Sequence, residues 1–305
     1  MPISVVSSAH HSFNSFPKIS IVTPSFNQVE YLEATILSIL SQNYPNLEYI
    51  IIDGGSTDGS IDIIQKYQKQ LAYWVSEPDS GLYDAVQKGF EKSTGEIMAW
   101  LNSDDMYHPN SLFVVADIFS NMPSVDWLTG IYTMYDEKNR TIGANIVCSW
   151  SRNWHLLMAK SRQIQQESTF WRRSLWNKSG SYVKVDMDFA GDFELWFRFF
   201  KYADLYTVTT ILGGFRFRTK NQKSLESMTE YLLETEQVIE KETFNINEIC
   251  RQKICYIYYY YFLRFFRNVN FIGKLTIKVF DFPDSIRFNR NSSNFEFFNT
   301  IYRLP

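Results

Sequence analysis

Cysteine is scarce, and what there is forms no pattern. Cys148, Cys250 and Cys255 are the three in 305 residues. Their spacing fits no zinc-ligand motif, and an odd count gives no closed disulfide framework. A reducing, cytoplasmic compartment is expected. Long apolar runs are missing as well, so no segment reads as a bilayer span. The first twenty residues lack a basic stretch followed by an apolar core, which excludes a secretory signal on this reading. Residues 1–17 are aperiodic and read as a loose leader. Charge of one sign is also lacking. The formal net charge is −3, which makes no whole-chain case for nucleic acid as a partner.

Aromatic residues are plentiful, at 17% with 25 Phe, 19 Tyr and 8 Trp. They bury large areas, and they also line sugar and nucleobase sites. Core packing is the commoner reason.

The first half of the chain alternates strands and helices. Ile19-Ser-Ile-Val-Thr23 reads as a short buried strand that breaks at Pro24. Apolar residues at Tyr31, Leu32, Ile36, Ile39 and Leu40 then follow a helical period. Tyr49 to Ile52 is a second buried strand, ending at Asp53-Gly54-Gly55-Ser56-Thr57-Asp58-Gly59-Ser60. Further strands are expected at Tyr73 to Ser76 and Ile97 to Leu101, with helices to about Gln70, over Leu82 to Lys92 and over Ser111 to Asn121. This alternation predicts an α/β fold with a mainly parallel central sheet flanked by helices. Ligands of such sheets bind beyond the carboxyl ends of the strands. Thr23, Ser25, Asp53 and Asn102 to Asp105 all fall at those ends.

After Asp126 the pattern shortens. Strands are expected between Trp127 and Val147 with turns at Gly130 and Gly143, over Glu167 to Arg172, and over Leu205 to Leu212 and Phe215 to Arg218 on either side of Gly213-Gly214. Helices are expected over Arg173 to Ser179 and Asp192 to Tyr202, and everything from Ser224 reads as helical.

Asn102-Ser103-Asp104-Asp105 places adjacent carboxylates at a strand end, which suits a hard divalent cation. A helix cap ahead of Pro109 explains the same residues equally well. Asp53 favours a nucleotide role from its strand-end position, and Asp58 a cap. Asp192 opens a helix, where a carboxylate is stabilised as an anion. On that basis alone a cap is the default, because a catalytic base wants a pKa nearer the working pH.

Several runs in order resemble the family-two glycosyltransferases with the GT-A fold. They are Ile-Val-Thr-Pro-Ser-Phe-Asn from Ile21, Ser38-Ile-Leu-Ser-Gln42, and Ile51-Ile-Asp-Gly-Gly-Ser-Thr-Asp-Gly-Ser60. Next come Ser76-Glu-Pro-Asp-Ser-Gly-Leu-Tyr-Asp-Ala85 and Leu101-Asn-Ser-Asp-Asp105. Gln166-Glu-Ser-Thr-Phe-Trp-Arg-Arg173 and Ala190-Gly-Asp-Phe-Glu-Leu-Trp196 complete the set. The resemblance runs from residue 19 to about 224 and lapses beyond.

It implies a division into a GT-A catalytic domain over 18–223 and a helical C-terminal extension over 224–305. The nucleotide-binding part would cover about 18–126 and the acceptor part about 127–223. It implies that Thr23, Ser25, Asp53, Asn102, Ser103 and Arg218 serve the donor, and that Asp104 is the carboxylate for a divalent cation, Mg²⁺ or Mn²⁺. Gln166, Glu167 and Trp171 would line the acceptor side, and Asp192 would be the base. Three departures stand out. Asn102 replaces the first acid of the DxD element, Gly54 stands where an acid often follows Asp53, and Arg218 stands where a histidine is frequent near Phe217.

The implied activity is inverting transfer of a sugar from a nucleotide-sugar donor, UDP-linked, to a hydroxyl of a glycan or lipid-linked acceptor. A nucleotidyltransferase would share the fold class, but no Gly-rich basic phosphate loop lies near the N-terminus. A non-catalytic nucleotide-sugar binding module would have lost the base. Between Arg251 and Lys278, six basic residues (Arg251, Lys253, Arg264, Arg267, Lys274, Lys278) stand with no acidic one. Ile254, Ile257, Tyr258, Tyr261, Phe262 and Phe265 recur there at helical spacing. Packing on the catalytic domain explains the stripe. Peripheral contact with the inner face of the plasma membrane also explains it.

Overall fold

The computed structural model describes residues 16–145, 149–161, 163–219, 222, 226–263 and 270–298. Cys148, Arg264, Phe265 and Arg267 lie outside the described residues, as do residues 1–15 of the leader and the side chains of Phe262 and Lys274.

Strand β1 (Ile19–Ser25) is buried at every position, as a strand covered on both faces must be. Around it runs a nine-stranded sheet. Its other members are β2 (Leu47–Asp53), β3 (Tyr73–Ser76), β4 (Ile97–Trp100), β6 (Trp127–Ile131), β9 (Thr169–Arg172), β10 (Leu205–Ile211), β12 (Ser285–Asn289) and β13 (Asn294–Phe298). The order is β13-β12-β10-β6-β9-β4-β1-β2-β3. Pairing is parallel except where β9 meets β4 and β6, and where β13 meets β12. The expected mainly parallel α/β sheet is therefore present. A smaller sheet of order β5-β11-β7-β8 joins β5 (Met106–Tyr107), β11 (Gly213–Arg216), β7 (Thr133–Tyr135) and β8 (Thr141–Ala144).

Helices α1 (Val29–Leu40), α2 (Ser60–Tyr67), α3 (Leu82–Lys92) and α4 (Ser111–Asn121) link the early strands. They are followed by α5 (Arg152–Met158), α6 (Arg173–Lys178), α7 (Gly191–Phe199), α8 (Met228–Lys241), α9 (Ile246–Ile257) and α10 (Asn270–Phe280). Two apolar clusters fill the faces of the large sheet. One is centred on Ile21, Ile36, Ile51 and Val115. The other holds Trp100, Trp127, Trp171 and Trp196. These four tryptophans are thus core.

Four expectations need correction. Gly130 and Gly143 lie inside β6 and β8 rather than in turns. A Cβ on Gly130 would come 2.7 Å from the Ser168 Oγ, so close packing explains this glycine. Gly213 and Gly214 likewise lie within β11, and a Cβ on Gly213 would come 1.9 Å from the Glu167 carbonyl oxygen. The strand expected from Glu167 starts only at Thr169, after a 3₁₀ turn over Gln166–Ser168.

The C-terminal extension has its helices, but it ends in the β12–β13 hairpin, which joins the large sheet through β10. The alternation Ile286, Arg287, Phe288 and the polar turn before Asn294 are hairpin signals. The aromatic helix is also not one continuous rod. After α9 the chain widens into a π turn over Tyr258–Leu263, and α10 returns against α9. Arg251 donates to the Lys278 carbonyl at 2.9 Å, and Cys255 and Phe280 belong to the tryptophan cluster.

Candidate active site

Parallel register carries three side chains to one rim. Ser25 lies beside Asp53, and Asp53 beside Ser76. Asp53 is fully buried, and its carboxylate is occupied by its own surroundings. It accepts the Ser56 hydroxyl at 2.6 Å, the Ser76 hydroxyl at 2.7 Å and the N–H groups of Ser56 and Gly55 at 2.8 and 3.1 Å. It shapes the loop rather than presenting a free oxygen. Thr23 also faces inward, accepting the Tyr49 hydroxyl at 3.1 Å. Ser25 differs, because its Oγ is buried without a partner. Asp58 ties helix starts, accepting N–H groups of Val29 and Ser60 at 2.9 Å each.

The gap at Gly54 is filled from another loop. A Cβ there would come 2.7 Å from the Asp79 Oδ2. Burial raises the Asp79 carboxyl. Nothing local in the sequence marks this contact, because residues 54 and 79 meet only through the pairing of β2 with β3.

After β4 the chain delivers four residues. Asn102 has a buried Oδ1 with no partner. Ser103 offers its carbonyl to the Thr35 hydroxyl at 2.9 Å. Asp104 forms an ion pair with Arg218 at 2.9 Å. Asp105 is buried and accepts the backbone N–H of Arg216 at 2.8 Å. Arg216 was not anticipated. It is fully buried, bonds Asn139 Oδ1 at 2.6 Å, and lies 5.0 Å over the Tyr31 ring, with Arg218 5.6 Å from the same ring. Burial raises the Asp104 carboxyl, with Arg218 opposing. Burial raises Asp105 much further, and the negative charges of Asp104 and Glu167 add to it.

A cavity of about 270 Å³ adjoins these residues, lined by Tyr83, Asn102, Gln166, Glu167, Asp192 and Tyr231 among others. Gln166 donates to the Trp100 carbonyl at 2.6 Å, and its Oε1 has no partner. Burial pushes the Glu167 carboxyl up to about 7. Asp192 lies in the first turn of α7, where its Oδ1 accepts the Phe193 N–H at 2.7 Å. Burial nevertheless pushes it up to about 6. A capping position and a basic, near-neutral pKa therefore coexist in one side chain, which the sequence alone set against each other.

Trp171 must be corrected. It is fully buried, its ring 5.7 Å from that of Trp100 and 5.5 Å from that of Trp196. It alternates with Phe170 on β9, and its face of the sheet packs under α7, so it is core and does not line the cavity.

Among the described residues no group of three or more His, Cys, Asp or Glu side chains comes together to hold a metal ion. Asp104 and the unpaired Asn102 Oδ1 are oxygen donors of the kind a hard cation takes.

The family model described as Glycosyl transferase family 2 matches residues 20–178. The uncharacterized glycosyltransferase Rv1514c of Mycobacterium tuberculosis is 30% identical over 204 residues, covering 66% of this chain and 76% of that protein. TarS 1-349 of S. aureus, solved in complex with UDP-GlcNAc, has a similar fold with a TM-score of 0.60 at 16% identity, over 86% of this chain and 79% of that one. The mannosyltransferase PcManGT from Pyrobaculum calidifontis, solved with GDP-Man and Mn2+, gives 0.57 at 17% identity, over 76% and 66%. With an α/β sheet that gathers its polar residues at one rim, and with half the chain matched to the family, this protein is a member of glycosyl transferase family 2.

Proposed function

We propose that the chain transfers a sugar, with inversion, from a nucleoside-diphosphate donor of the UDP-sugar class to a hydroxyl of a glycan or lipid-linked acceptor. The observation that carries this is Asp192, pushed up to about 6 and open to the same cavity as Asn102, Gln166 and Glu167. A half-buried carboxylate with that pKa can take a proton near neutral pH. TarS was solved with UDP-GlcNAc, which supports the UDP-sugar class, and PcManGT with GDP-Man and Mn2+, which supports a nucleoside-diphosphate sugar and a divalent ion.

In the proposed reaction the acceptor oxygen attacks the anomeric carbon as its proton passes to Asp192. The bond from that carbon to the diphosphate oxygen breaks, and its electron pair leaves with the diphosphate. The transition state has oxocarbenium character. Gln166 and Glu167 hold the acceptor, and the unpartnered Ser25 Oγ and Asn102 Oδ1 are donor-side contacts. Arg218 offsets diphosphate charge. Asp104 with Asn102 would hold a Mg²⁺ or Mn²⁺ ion, which neutralises charge on the leaving diphosphate when bound.

The exposed side of α9 and the π turn supports a peripheral contact with an anionic membrane surface. Ile254, Tyr256, Ile257, Tyr260 and Tyr261 are all exposed, and Lys253 stands among them. No helix among the described residues is long and apolar enough to cross a membrane.

A thermal-shift screen of nucleotide-sugars tests the donor, since a ligand that binds the folded state raises its melting temperature. UDP-sugars should shift it and release UDP on turnover. Pyrophosphate release from a nucleoside triphosphate, with no shift by any nucleotide-sugar, would replace this reading with nucleotidyl transfer.

A further inference from the structure

The family match ends at residue 178, before the helix that carries Asp192. What holds that helix in place comes from later still. Glu234 on α8 directs its carboxylate at the loop ahead of α7. Its Oε1 accepts the N–H of Asp188 at 2.9 Å, and its Oε2 accepts those of Phe189 and Ala190 at 3.0 and 2.7 Å. Three successive backbone donors thus converge on one side chain. Ala190 is the cap residue of α7, so the anion also stands at that helix's positive end.

The same loop is gripped from the opposite side. Tyr83 on α3 donates its hydroxyl to the Phe189 carbonyl at 2.8 Å and accepts the Asp192 N–H at 3.3 Å. Phe189 is therefore fixed at its N–H by Glu234 and at its carbonyl by Tyr83. Apolar packing of Tyr231, Val238 and Ile239 on Ala159, Ala190 and Phe193 sets α8 against this turn. Ser227, Met228 and Tyr231 of the same segment line the cavity.

Resting on the reading of Asp192 as base, we propose that Glu234 is a positioning residue for the transfer. It fixes the loop 188–190 and through it the place of Asp192. Its charge also holds the Asp192 proton more firmly. The groups facing Asp192 are the Phe193 N–H on its own helix, Tyr83 from α3, Glu167 from the 3₁₀ turn, and Tyr231 and Glu234 from α8. Of these, Glu234 is the one that both bonds the loop and acts on Asp192 through its charge.

Glu234→Gln is the informative change. Its amide keeps one accepting oxygen and turns the other into an N–H donor. In either orientation, at least one backbone donor then meets a donor. The carboxyl ¹³C signals of aspartate-labelled protein, with Asp192→Asn used to assign the resonance, report the Asp192 midpoint directly. Loss of the Glu234 charge should lower that midpoint by about half a unit. Hydrogen exchange at residues 188–190 should quicken on the order of tenfold.

Glu234→Asp keeps the charge and shortens the reach, so exchange should quicken while the midpoint stays closer to that of the parent. If Glu234→Gln does not fold, judged by its melting curve, the Glu234→Asp result decides. Slow exchange at residues 188–190 in that variant overturns the proposal, as does an unchanged midpoint in a folded Glu234→Gln. These readouts need no sugar donor. UDP-sugar turnover by Asp192→Asn tests the base separately, so either reading can fail while the other stands.

Discussion

Replacing Asp192 by asparagine should make the protein more stable and nearly inactive. Burial lifts the carboxyl from 3.8 to about 6. Between those values the folded state keeps a proton that the unfolded chain has lost. Stability therefore falls as pH rises through that window, and the full cost is present above about 6. Each unit corresponds to 1.36 kcal/mol, so the ionised side chain costs about 3 kcal/mol at pH 7. That is an upper bound on the gain from Asn, because the amide nitrogen is itself a donor that needs a partner in this enclosed place. A net gain of about 1–2 kcal/mol, or a melting rise of roughly 2–5 °C, is expected at pH 7. Below pH 4 the two proteins should melt alike.

Transfer should fall on the order of a hundredfold or more, since the amide cannot accept the acceptor proton. In the parent, nucleotide release should drop about tenfold for each pH unit below the Asp192 pKa. Melting curves and nucleotide release at pH 4 to 8 are enough to test this. Near-normal turnover by the variant would remove Asp192 from the mechanism. A melting temperature at or below that of the parent at pH 7 would refute the burial argument.

Trp171→Phe should cost about 1–2 kcal/mol through lost packing, with no change in acceptor KM. A raised KM at unchanged stability would return Trp171 to the acceptor side. For the membrane contact, weak and salt-sensitive flotation with phosphatidylglycerol vesicles is expected of the full chain. Flotation should be lost in the exposed-face triple change Lys253→Glu, Ile254→Ser and Ile257→Ser. Equal flotation by both proteins, or none by either, would leave this face without a lipid role.

The sheet was legible because each early strand is a buried apolar run stopped by turn residues, and parallel strands need nothing finer. The rim was legible for the same reason, since Ser25, Asp53 and Asn102 stand where those runs stop. What each rim residue does was not. Asp53 is occupied by Ser56 and by Ser76, and the latter meets it only through the β2–β3 register. Asp105 meets Arg216 from 111 positions away, and nothing local marks an arginine after Gly-Gly-Phe as a buried partner. Trp171 was misplaced because aromatics line sugar sites and cores alike, and the sequence does not say which face of β9 it takes. The closing hairpin was missed because aromatic content in the extension read as helical throughout. Asp192 was legible through its resemblance, while the lift in its pKa comes from burial in the fold and from the charge of Glu234, which arrives from α8 more than forty positions later.

Four carboxyls, Asp104, Asp105, Glu167 and Asp192, are gathered around the cavity, each pushed up by burial, and the cations facing them among the described residues are Arg216 and Arg218. A nucleoside diphosphate brings negative charge to a site whose two guanidiniums are already engaged, Arg218 with Asp104 and Arg216 with Asn139 and the Asp104 carbonyl. It should therefore bind poorly unless a divalent ion enters with it. The ion alone should also bind poorly, since Asp104 is held by Arg218 and, among the described residues, no cluster of three or more His, Cys, Asp or Glu side chains stands ready. Each should raise the other's affinity, and by linkage the factor must be the same in both directions.

Titration calorimetry of UDP with and without Mn²⁺, and of Mn²⁺ with and without UDP, should give matching gains of tenfold or more. Arg218→Ala should weaken UDP binding in the absence of metal and strengthen Mn²⁺ binding in the absence of UDP, because Asp104 is then released. Asp104→Ala should abolish the mutual gain. Equal UDP affinity with and without Mn²⁺ in the parent protein would mean that Arg218 meets the diphosphate alone, and that the ion has no part in donor binding here.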